Sequence, residues 1–193
     1  MGRPREFDIE QALRTAAEMF WRRGYDDTSV NDLTAAMKIA PPSFYFAFGS
    51  KEGLFQKILD NYQIIQSGIV DDALRQKSLG DVLQRLLSGY ADLFTDPAHP
   101  PGCLVLNSSI PVCEGHPFRE KFAEQRRELR LTLEKRFKEL GREDAKLPPG
   151  STPATLAMLV VSLIWGLAVE AQSGASRSEL KKTAAAAIHS LIH

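Results

Sequence analysis

Apolar residues recur at helical spacing along most of this chain. Nowhere do several residues of strict apolar/polar alternation lie between turn signals, so the sequence reads as all-α. The pattern is clearest from Phe118 onward. Phe118, Phe122, Leu129, Leu133, Phe137 and Leu140 recur at steps of three, four or seven, with Arg, Lys and Glu on the other faces. Gly141 and the Leu147-Pro148-Pro149-Gly150 stretch end that helix. The same reasoning predicts about nine helices. The first runs from about Asp8 to Arg23 and is stopped by Gly24, the second from about Val30 to Ala36, and the third follows Pro41-Pro42. Longer ones cover Ser50 to about Arg75 and Leu79 to Phe94, the latter broken by Pro97, Pro100 and Pro101. A short apolar helix near Cys103 to Ile110 precedes Pro117 to Gly141, and Pro153 to Gln172 and Ser176 to Leu191 close the series.

Two of these helices are very short and lie about four residues apart. Thr28-Ser29 stands just before Val30, so either hydroxyl can accept the free N–H groups of a helix starting there. Pro41-Pro42 suits the first turn of the next helix, where N–H groups lack partners in any case. Isolated, each would be marginal in water. The apolar face of the first helix (Ala12, Leu13, Ala16, Ala17, Met19, Phe20) and of the short pair (Val30, Leu33, Ile39, Phe44, Phe48) supplies one three-helix core. The pair is therefore a helix-turn-helix over about residues 29–48, and Ser50, with Glu52 and Gly53 behind it, caps the helix that follows.

The stretch from Phe7 to Phe55 carries Phe20-Trp21, Gly24-Tyr25, Thr28-Ser29-Val30, Asp32-Leu33, Phe44-Tyr45 and Phe48-Gly49-Ser50-Lys51-Glu52 at fixed spacings. With these residues it resembles the DNA-binding domain of the tetracycline-repressor (TetR) family. The resemblance implies a DNA-binding domain over residues 1–50 and an all-helical effector-binding and dimerisation domain over 51–193. It implies a homodimeric transcriptional regulator, most often a repressor, that binds double-stranded operator DNA and is released by a small-molecule effector. By position, Thr28 matches a helix cap that holds a phosphate, and Pro41, Pro42, Ser43, Tyr45 and Phe46 match the exposed face of the recognition helix. Tyr45 matches an aromatic that touches the DNA backbone, and Lys51 matches a phosphate-binding lysine. The chain also departs from the pattern: Lys38 stands where a turn glycine is usual, and a non-glycine residue held left-handed costs roughly 1 kcal/mol. From Ala40 to Phe48 there is no Arg, Lys, Asn or Gln, the side chains that pair with guanine and adenine edges. Readout is expected to come from thymine-methyl contact, Ser43 and groove shape, with affinity drawn from phosphates.

Charge adds little. Lys plus Arg and Asp plus Glu both number 24, so no global excess points to nucleic acid or an anionic membrane. Up to residue 51 seven basic residues balance seven acidic ones, although Arg3-Pro4-Arg5 makes a basic arm that can enter an adjacent minor groove. Hydrophobic residues at 44% and charged residues at 25% describe a chain able to fold around a core. Two cysteines exclude the disulfide framework of a small secreted domain, and the charged start MGRPREFDIEQ lacks an apolar run, so a cytoplasmic protein is expected. Ala154 to Val169 is uncharged, but at about 24 Å it falls short of a bilayer core of about 30 Å. It reads as a core or subunit-contact helix, with no membrane partner.

Helix bundles commonly hold ligands between their helices, which makes Tyr62, Tyr90, Phe94, Cys103, Leu106, Asn107 and Phe122 the candidate effector walls, against plain core as the alternative. Leu156, Leu159, Val160, Leu163, Trp165 and Leu167 make their helix apolar nearly all round, which suggests an isologous dimer contact and hence a pseudo-palindromic operator. His99, Cys103, Cys113 and His116 raise thiol sensing or a soft metal as alternatives, although a C-x2-C pair is missing; no metal or cofactor is assigned. No catalytic motif of the G-x-G-x-x-G, Walker, H-E-x-x-H or G-x-S-x-G kinds occurs, so no enzyme is expected. A helical adaptor that binds only protein remains the other reading.

Overall fold

A computed structural model describes residues 7–109, 116–142, 147–148 and 150–192. Among the described residues all regular structure is helical: α1 (Ile9–Arg23), α2 (Val30–Met37), α3 (Pro41–Phe48), α4 (Lys51–Leu74), α5 (Leu79–Phe94), α6 (Leu104–Ser109), α7 (Arg119–Arg142), α8 (Pro153–Gln172) and α9 (Arg177–Ile192). The all-α expectation and its helix order hold, with ends differing by a residue or two. Local chemistry sets those ends. Asp8 accepts the Gln11 N–H ahead of α1, Ser78 the Asp81 N–H ahead of α5, and Thr152 the Thr155 N–H ahead of α8, whose first residue is proline.

The chain divides into two compact units, one ending at Gln63 and the other beginning at Ile64. The division falls inside α4, not at its start, so the first turns of that helix belong with α1–α3. In the first unit the core is aromatic. Phe20 meets Phe55 edge-on at 4.8 Å, Tyr25 lies 5.0 Å from Phe55, and Phe44 lies 5.5 Å from Phe48. Edge and tilted arrangements of this kind add roughly 0.5–1.5 kcal/mol per pair beyond the area they bury. Leu33, Leu54, Phe55 and Ala16 are fully buried alongside. Where α3 meets α4 the backbones touch: a Cβ on Gly53 would lie 2.3 Å from the Phe48 carbonyl oxygen, so only glycine fits.

In the second unit α8 packs against α5, α7 and α9, and α5 packs against α9. Its core holds Val82, Leu83, Leu86, Leu87, Leu133, Phe137, Val160 and Ile164. Helix α8 is long and apolar enough, by length and composition alone, to cross a membrane. Its Leu156, Ala157, Val160, Ile164, Leu167, Ala168 and Ala171 are nevertheless buried against its neighbours within the unit. This corrects the expected subunit contact, because Leu156, Val160 and Leu167 are spent on the internal core. Leu159 is 44% exposed, Leu163 and Trp165 are half-buried, and Met158 and Val169, which periodicity did not single out, are exposed as well.

Candidate nucleic-acid interface

The α2–α3 pair is built by two caps and a turn. Ser29 caps α2: its hydroxyl oxygen accepts the Asp32 N–H at 3.1 Å, while the Asp32 carboxylate accepts the Ser29 N–H at 3.0 Å. The Ser29 hydroxyl, which also donates to the Asp32 carboxylate, and then the Ser29 N–H hold that carboxyl below the usual carboxylate range. At the far end Lys38 adopts φ 57°, ψ 40°, the left-handed conformation, and its N–H reaches back to Ala35 and Thr34. It is the sole non-glycine residue with positive φ among the described residues, so the glycine-less turn keeps the geometry that a glycine would give. Ala40 then leads into α3, which opens on Pro41-Pro42 without a side-chain cap.

The sequence of α3 sorts cleanly by face. Phe44 and Phe48, four residues apart, are buried in the first unit's core. Pro41, Pro42, Tyr45 and Phe46 face outward and Ser43 is half-buried. Tyr45 is 52% exposed, with its ring edge-on to Phe44 at 5.4 Å, and Phe46 is 95% exposed. The expected contact residues of α3 thus share one helix and one outward surface.

Thr28 departs from its expected role as a cap, and Lys51 is engaged within the first unit. Thr28 does not cap α2: it is fully buried, and its hydroxyl donates to the Gly24 carbonyl at 2.8 Å. Ser29, one residue later and exposed, takes the cap, because the Thr28 side chain is turned inward and bonded to Gly24. Lys51 is half-buried. Its Nζ donates to the Tyr25 carbonyl at 2.9 Å and sits 4.1 Å from the centre of the Tyr25 ring. Tyr25 in turn donates its hydroxyl to Glu52 at 2.9 Å. Burial, then the Glu52 bond and its charge, push the Tyr25 hydroxyl upward. The Glu52 carboxyl is held low by its own backbone N–H, then by Ser50 and Tyr25. Sequence spacing alone did not show this Tyr25–Lys51–Glu52 cluster, since it joins residues 26 and 27 apart. Arg3 and Arg5 lie outside the described residues, as does Cys113.

Of the expected effector walls, Tyr62 belongs to the first unit, where its ring meets Trp21 edge-on at 5.1 Å. The others lie in the second unit. Tyr90, Phe94, Cys103, Leu106 and Phe122 are buried there and Asn107 is half-buried. Tyr90 and Phe94 rings are 5.5 Å apart, and burial, with the Cys103 charge adding to it, raises the Tyr90 hydroxyl. Gly102, at φ 92°, turns the chain into this cluster and donates its N–H to the Phe94 carbonyl at 2.9 Å. An open groove of about 620 Å³ lies elsewhere, between α7 and α8, lined by Ala123, Arg126, Arg127, Arg130, Met158 and Trp165 among others. No group of three or more His, Cys, Asp or Glu side chains placed to hold a metal occurs among the described residues.

A short helix presenting its outer face beyond a capped turn defines a helix-turn-helix protein. Residues 12–58 match the family model described as bacterial regulatory proteins, tetR family. The chain is 30% identical over 191 residues, 95% of its length and 88% of the other's, to the HTH-type transcriptional repressor ComR of Escherichia coli (strain K12). It is 39% identical over 106 residues, 54% of each chain, to the HTH-type transcriptional repressor BdcR of the same organism. Among solved structures, the TetR family regulator CifR, a cysteine mutant in complex with 26-bp double-strand operator DNA, superposes with a TM-score of 0.81 at 33% identity, covering 97% of this chain and 98% of that one. The chain belongs to the tetR family of bacterial regulatory proteins.

Proposed function

We propose that this chain is a cytoplasmic, homodimeric transcriptional repressor, without enzymatic activity, that grips a pseudo-palindromic operator and lets go when a small molecule binds its second unit. The observation that carries the DNA half is the outer face of α3. Pro41, Pro42, Tyr45 and Phe46 stand free while Phe44 and Phe48 anchor the helix, an arrangement that serves a groove and leaves an isolated fold with exposed aromatic rings. CifR, 33% identical over nearly the whole chain, occurs with operator DNA, which supports the same partner here. In this reading α3 enters the major groove, Tyr45 and Ser43 meet the backbone and base edges, and the exposed Ser29 end of α2 and the arm at Arg3 and Arg5 meet phosphates. Lys51 keeps donors beyond the one given to Tyr25, so it can hold both that carbonyl and a phosphate.

The effector is assigned to the cluster of Tyr90, Phe94, Cys103, Leu106, Asn107 and Phe122, whose apolar walls and few polar atoms suit a small organic molecule. These side chains are packed, so binding there requires them to part, and α6, only six residues long, is the element with least to lose by moving. The dimer is assigned to the outer face of α8 at Met158, Leu159, Leu163 and Val169. The test is a gel shift with duplex DNA flanking the chain's own gene, repeated from low to high salt. The expected result is a discrete complex that weakens steeply with salt, and no shift at any ionic strength would refute the reading.

A further inference from the structure

We propose that Phe46 is the residue that sets operator specificity, and that it does so by touching thymine C5-methyl groups in the major groove. The inference rests on the DNA-binding reading above and adds to it the feature that is read. At 95% exposure Phe46 is the most exposed large hydrophobic side chain among the described residues. Its neighbour Tyr45 leans its ring on Phe44 and is half covered. Phe46 instead stands clear of the body, and Pro41 and Pro42 stand exposed on the same short helix.

No outward position from Ala40 to Phe48 carries an amide, guanidinium or ammonium, so the forked hydrogen bonds that identify guanine or adenine have no donor there. Ser43, with one hydroxyl, serves any base. The one apolar feature that a major groove offers is the thymine methyl, and a phenyl ring is the side chain in this helix with area enough to cover it. The helix is held still enough for such a contact to select, because Phe44 and Phe48 are buried and Gly53 admits no slack where α3 meets α4.

The experiment begins by selecting duplexes from a random pool with the full-length protein, then replaces thymine with deoxyuridine in the selected half-sites. This swap removes the methyl and leaves every hydrogen-bonding group in place. Burial of one methyl corresponds to about a fourfold change in Kd, so the uridine duplex should bind about fourfold more weakly per contacted methyl, and about 15-fold more weakly when both half-sites lose one. The slope of log K against log salt should stay the same, since phosphates are untouched. Phe46→Ala should bind the thymine and uridine duplexes equally, with its thermal midpoint unchanged because the side chain is outside the core.

Equal binding of the two duplexes by the wild-type chain, a Phe46→Ala variant that keeps the thymine preference, or selected half-sites devoid of thymine would each overturn the inference while leaving DNA binding intact. A chain that retains no duplex from the pool overturns the DNA-binding reading itself, and this inference with it.

Discussion

Lys38 shows what a single residue contributes and what it costs. The resemblance placed Lys38 where a turn glycine is usual, and the structure holds it in the left-handed conformation that such a glycine would take. Lys38→Gly should relieve the Cβ clash at a site that glycine occupies freely. Setting glycine's extra freedom in the unfolded chain, about 0.5–1 kcal/mol, against the roughly 1 kcal/mol cost of the left-handed backbone leaves an expected gain of at most about 0.5 kcal/mol, read as a rise of at most about 1–2 °C in the melting midpoint. The cap of α2 was not legible at the same level. Thr28 and Ser29 are adjacent hydroxyls, and spacing cannot tell which one faces the helix; the fold sends Thr28 inward to Gly24 and leaves the cap to Ser29. Ser29→Ala should therefore cost about 1 kcal/mol in a denaturant titration, and threonine one residue earlier will not rescue it.

Elements meet at points that periodicity does not mark. The approach of α3 to α4 depends on Gly53, whose missing Cβ leaves room for the Phe48 carbonyl. Gly53→Ala should destabilise the protein by about 1–3 kcal/mol even though alanine is the better helix former, and chemical denaturation with an unchanged m-value would show it. Between α5 and α9, Asp92 accepts from Arg177 and, at 2.7 Å, from Lys181. Partial burial works against its charge, but the bonds from Lys181 and Arg177 outweigh this and hold its carboxyl below the ordinary range. A depressed pKa stabilises the fold above the unfolded value of about 3.9 and loses that contribution as pH falls through the folded value. Asp92→Asn should lower stability at neutral pH by about 0.2–1 kcal/mol, the range of a part-exposed pair, and the difference from wild type should disappear once the pH falls below the depressed folded value. The helices themselves were readable from apolar spacing, α5 down to its end residues. Helix α8 was readable as a helix but not as a set of faces, because when nearly every position is apolar no stripe remains to separate core from contact surface.

For the molecule as a whole, the resemblance carried by Phe7 to Phe55 identified the family, while the second unit offered only its helix count. Buried walls such as Tyr90 and Phe122 look the same in sequence whether they enclose a ligand or each other. The assigned dimer face makes a test at this scale. Leu159→Glu, on the exposed side of α8, should leave a folded monomer by light scattering that no longer binds a two-fold operator, whereas Val160→Glu, one residue on and turned inward, should prevent folding. The sorting of α3 has a practical corollary for anyone rewriting the regulator. What seats the helix (Phe44, Phe48, Gly53) and what the proposed reading gives to DNA (Pro41, Pro42, Tyr45, Phe46) share no side chain. The outer letters can thus be exchanged like type in a fixed printing frame, and retargeted variants should keep the parent's shape and melting behaviour while answering to different promoters.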